Sequence, residues 1–64
     1  MSSLDSRILD LLAEVDGDTS AVAVALCDEG VARGEYEGRS TELEMAFVSY
    51  RNRAERLLAE AGGR

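Results

Sequence analysis

The sequence predicts an all-α fold: a small three-helix bundle forming one domain over residues 1–64. Three observations carry this reading. Two outer segments repeat apolar residues at helical spacing, glycines punctuate the joints, and the segment between is rich in alanine, the best helix former.

The first helix is expected over residues 4–15. Leu4, Ile8, Leu11, Leu12 and Val15 form one stripe of a 3.6-residue helix. Ser2 or Ser3 caps its first turn, and Asp5 suits the positive end of the helix dipole. Gly17, following Asp16, can take the left-handed conformation that closes it. Leu9 falls about 115° from the stripe centre at ~100° per residue, so it needs a second neighbour or stays exposed.

The middle segment reads as a helix over residues 19–33, capped by Thr19 or Asp18 and ended by Gly34. Ala21, Val24, Cys27 and Val31 then share the inward face, and Gly30 inside the helix costs about 1 kcal/mol. A β-hairpin is the alternative, because Val22, Val24 and Leu26 alternate with alanines ahead of a turn at Asp28-Glu29-Gly30. Alanine content favours the helix. Residues 34–40 form a loop with two glycines.

The third helix is expected over residues 41–61. Thr41-Glu42-Leu43-Glu44 matches a capping box, with Thr41 as cap and Glu44 reaching back. Leu43, Phe47, Tyr50, Ala54, Leu57 and Ala61 follow at spacings of 4, 3, 4, 3 and 4, and Gly62-Gly63 closes the helix. This is a heptad seam about 30 Å long. It exceeds what one short helix can cover, and so small a chain without Trp or disulfide commonly completes its core by self-association. A homodimer along these six residues is therefore expected, with Phe47 and Tyr50 near the two-fold axis.

Composition excludes more functions than it suggests. Thirteen acidic against seven basic side chains give a net charge of -6, with no histidine and one cysteine. Structural zinc, haem, iron–sulfur centres and a disulfide framework lack ligands or partners. Cys27 has no histidine to act as base, so it reads as a structural thiol. No phosphate loop, catalytic triad or dinucleotide fingerprint occurs, and no catalytic residue, cofactor or small-molecule ligand is expected. Asp16-Gly17-Asp18-Thr19-Ser20 resembles the start of a calcium loop, but Ser20 and Cys27 stand where its acidic ligands belong, so no metal is expected. The longest apolar run, Ala21 to Cys27, is far below the roughly 20 residues that span a bilayer. With no basic leader after Met1 and a lone thiol, the expected location is the cytoplasm.

Interaction surfaces remain. Met45 and Val48 lie roughly 120–170° from the seam, on the side that should be wet. Together with Leu9 and with Tyr36 in the glycine-flanked loop, they form the candidate second contact surface.

Asn52, Arg53 and Arg56 share a face with Ser49 and are the candidate nucleic-acid contacts of an alternative reading. Arg7-Ile8-Leu9-Asp10-Leu11-Leu12-Ala13-Glu14 resembles the opening helix of small prokaryotic winged-helix regulators. Residues 48–62, Val48-Ser49-Tyr50-Arg51-Asn52-Arg53-Ala54-Glu55-Arg56-Leu57-Leu58-Ala59-Glu60-Ala61-Gly62, resemble their recognition helix. The resemblance implies a DNA-binding transcriptional regulator. The departures are a longer intervening segment and the interruption of the basic face by Glu55 and Glu60. The plainer account of that face is a solvated surface with an Arg56–Glu60 ion pair.

A further alternative is an acidic decoy, its carboxylates at Asp5, Asp10, Glu14, Glu35, Glu37, Glu42 and Glu44 imitating phosphates. A charge of -6 is nonetheless ordinary for a soluble domain. The favoured expectation is a small acidic module that binds another protein and itself.

Overall fold

The helix boundaries follow from capping side chains and two left-handed turns. The computed structural model describes residues 3–62. It contains α1 (Ser3–Glu14), α2 (Thr19–Ala32) and α3 (Thr41–Gly62), with no strand among the described residues. The fold is a small all-α three-helix bundle, and the middle segment is the helix rather than the hairpin. Ser2 and Gly63, expected to cap and to close helices, lie outside the described residues.

Asp16 and Gly17 turn the chain between α1 and α2 at φ 54° and 79°, values that Asp and Gly tolerate. The Gly17 amide donates to the Leu12 carbonyl at 2.9 Å, closing α1. Asp18, rather than Thr19, caps α2: its carboxylate accepts the Ala21 amide at 3.1 Å. Gly34, at φ +77°, follows the last turn of α2 as expected.

The cap of α3 is corrected by one residue. Ser40 Oγ accepts the Leu43 amide at 3.1 Å and donates to the Glu37 carbonyl at 2.8 Å. Thr41 is thus the first helical residue, and Leu43 occupies the position from which a capping-box glutamate would reach back. The serine wins because one hydroxyl both caps the helix and anchors the loop before it.

The core gathers Ile8, Leu11 and Leu12 from α1, Val22 and Leu26 from α2, and Ala54 from α3. Ile8, Val22 and Ala54 expose no surface at all. The expected inward face of α2 is also corrected. Val22, Ala23, Leu26, Cys27 and Gly30 are buried, whereas Val24 and Val31 face outward. This helix is apolar nearly all round, so periodicity cannot choose its face. The face that packs is the one carrying Val22 and Leu26, which join the core with α1 and α3.

Two cross-helix ion pairs brace the bundle: Arg7 to Glu29 at 2.7 Å joins α1 to α2, and Arg53 to Asp5 at 2.6 Å joins α1 to α3. The first pair is exposed to solvent and the second part-buried. Helices α2 and α3 make the most extensive pairing. At ~1.5 Å per residue α3 is about 33 Å long against about 18 Å for α1, so α1 cannot run along its whole length. The principal extents of 38 × 20 × 17 Å reflect this.

Candidate interaction surface

The six-residue seam of α3 divides between shelter and solvent. Ala54 is fully buried in the core, and Tyr50 and Leu57 pack half-buried against it. Leu43 and Phe47 are half-buried, and Ala61 is exposed. The expectation that a second chain covers all six is therefore corrected at Ala54. Its methyl already meets α1 and α2 and has no surface left to offer.

Tyr36 is likewise not the free loop aromatic expected from its neighbours. Its hydroxyl lies 3.2 Å from that of Tyr50, and its ring lies over Gly30. A Cβ built on Gly30 would come within 2.5 Å of Tyr36 Cδ2, so glycine is what lets the loop close on α2. The Tyr50 phenol is pushed up to about 12, first by its hydrogen bond with Tyr36 and then by burial. The folded state thus holds this proton more tightly than the unfolded chain, whose phenols titrate near ~10. Stability is expected to fall as pH rises from about 10 toward about 12. Tyr36→Phe is expected to return Tyr50 toward the ordinary value in an ultraviolet titration. An unmoved Tyr50 titration would show that the loop contact is not what holds its proton.

The Cys27 thiol is buried, and burial followed by the charge of Asp28 pushes its pKa up. Little thiolate forms at neutral pH, which makes it a poor nucleophile. Among the described residues no group of three or more His, Cys, Asp or Glu side chains is placed to hold a metal ion.

What the bundle does present is an apolar flank. Met45 is 68% exposed and Val48 45%, both on the outward side of α3. They lie in an open groove of about 840 Å³ together with Glu44, Asn52, Arg53 and Arg56. Val48 also borders a second groove of about 400 Å³ between α2 and α3, where Val24 (49% exposed), Leu43 and Phe47 form the apolar floor. The two grooves share Val48 and Glu44, so the apolar surface is continuous from α2 across to the far side of α3.

Leu9 stands apart from this flank. It is half-buried against the core and borders a shallow groove with Leu58 and Ala61. The candidate second surface thus separates into Met45 and Val48 on one side, Leu9 on another, and Tyr36 turned inward. Sequence reasoning missed Val24, which it placed inside, and Leu58. The apolar character of α2 on every side was the available signal, because two neighbours cannot cover a whole helix circumference.

Asn52, Arg53 and Arg56 do share the α3 groove. Arg53, however, is held by Asp5, and Glu44 stands at the other end of the same groove. The expected Arg56–Glu60 pair is not among the ion pairs of the described residues. The i,i+4 pair on this helix is Arg51–Glu55 at 3.9 Å, too long for a hydrogen bond.

The chain matches no protein-family model, no curated protein and no solved structure in the comparisons made.

Proposed function

We propose that this chain is a small acidic protein-interaction module of the cytoplasm, which binds another polypeptide through the α2–α3 flank and pairs with itself as a homodimer. It performs no chemistry of its own. The observation that supports this reading is the continuous outward surface of Val24, Met45 and Val48 on a bundle whose core is otherwise well sheltered. Single exposed apolar residues are ordinary, but a joined set on the longest helix is the usual mark of a contact surface.

Replacing Met45→Glu together with Val48→Glu tests it. Only the exposed part of each side chain remains to be buried, about 1.5–3 kcal/mol for the two together, so self-association is expected to weaken by about 10–100-fold. Sedimentation equilibrium reads the mass, and circular dichroism checks that helicity is kept. A double variant that associates as tightly as the unaltered chain would refute the reading.

The DNA-binding regulator is less well supported. Arg53 is already neutralised by Asp5, and the Glu44 carboxylate in the same groove repels phosphate. The acidic decoy is weakened similarly, because Arg33 and Arg53 neutralise Glu35 and Asp5, two of its carboxylates.

A further inference from the structure

We propose that a second copy of this chain lies antiparallel along the outward face of α3, with Glu44 of each copy meeting Arg56 of the other. The proposal rests on the interaction-module reading above and adds to it an orientation.

Charge runs along this face in one direction. The groove runs from Glu44 past Met45 and Val48 to Asn52, Arg53 and Arg56, with a carboxylate at one end and two guanidiniums at the other, of which Arg53 is already held by Asp5. Among the described residues neither Glu44 nor Arg56 has an ionic partner, whereas Arg7, Arg33, Arg51 and Arg53 all do. Of the charges lining this groove, Glu44 and Arg56 are the two without an ion pair, and they stand about 18 Å apart along the helix at ~1.5 Å per residue, so they cannot meet within one copy.

A parallel two-fold partner would set Glu44 beside Glu44 and Arg56 beside Arg56. Like charges facing each other across a helix pair are destabilising, and such flanking charges choose the orientation. Reversing the second helix about an axis next to Val48 and Ser49 removes the conflict. Val48 then faces its own counterpart, and Met45 faces Asn52 of the second copy. Glu44 comes to about 4.5 Å along the axis from Arg56 of the second copy, within reach of a long arginine. Each copy carries -6 overall, a general repulsion that favours the contact where carboxylate and guanidinium alternate.

Charge exchange on the full chain tests the orientation. Glu44→Arg and Arg56→Glu, measured singly by sedimentation equilibrium at fixed salt, are each expected to weaken the dimer by about 5–10-fold. Each removes two symmetry-related pairs and adds repulsion. Carrying both substitutions restores opposite charges and is expected to bring the constant back to within about twofold of the starting value. Both positions are exposed, and circular dichroism verifies that the helices persist. A dimer indifferent to the single changes, or weakened further by the double, overturns the antiparallel pairing and leaves the interaction reading standing. A chain that stays monomeric up to about 1 mM overturns self-pairing and the homodimer together.

Discussion

Ile8→Ala is expected to cost about 2–5 kcal/mol, because removing a fully buried branched side chain loses its transfer energy and leaves a cavity. Ile8 has no exposed surface and sits where α1 meets the other two helices. At roughly 0.05–0.15 kcal/mol per residue, a domain of this size has about 3–10 kcal/mol in total. The substitution therefore removes a large share of it. In a domain this small each kcal/mol moves the melting temperature by about 4–8 °C, so a fall of roughly 8–40 °C is expected by thermal circular dichroism. A fall under about 5 °C would show that the core does not centre on Ile8.

Ala54→Leu is expected to destabilise the fold by about 1–3 kcal/mol through overpacking. Ala54 is the one residue of α3 classed as buried among those described, and its methyl shares the core with Ile8, Leu11, Leu12, Val22 and Leu26. A larger side chain there pushes α3 away from both short helices. The same substitution separates two uses of the seam. If Ala54 faced a second chain, Leu would enlarge an intermolecular contact and its effect would vary with protein concentration. Facing inward, it lowers the denaturation midpoint by the same amount at every concentration, and urea titrations at two concentrations tell these apart.

The two outer helices were legible because their apolar stripes recur at helical spacing, and the turn at Asp16-Gly17 because few residues accept a positive φ. The orientation of α2 was not legible. Its apolar residues surround the helix, so spacing alone does not show that Val22 and Leu26 are the ones that join the core. Ser40 and Thr41 are both good caps, so the start of α3 depended on which hydroxyl faced the Leu43 amide. Tyr36 was misplaced for a related reason: the docking of its ring depends on the missing Cβ of Gly30 and on a hydroxyl fourteen residues further along the chain, that of Tyr50. Of the contact surface, Met45 and Val48 were visible as apolar residues off the seam. Val24 joins them only once α2 has been rotated into place.

The account depends on solvent reaching Met45 and Val48 in the single chain and leaving them when a partner binds. Methyl NMR spectra recorded over a dilution series measure this directly. The Met45 and Val48 methyl signals are predicted to move with concentration while those of Ile8 and Val22 stay fixed. Concentration-dependent movement of Ile8 or Val22 with Met45 and Val48 unmoved, or no movement of any of the four up to the highest concentration, would contradict the account.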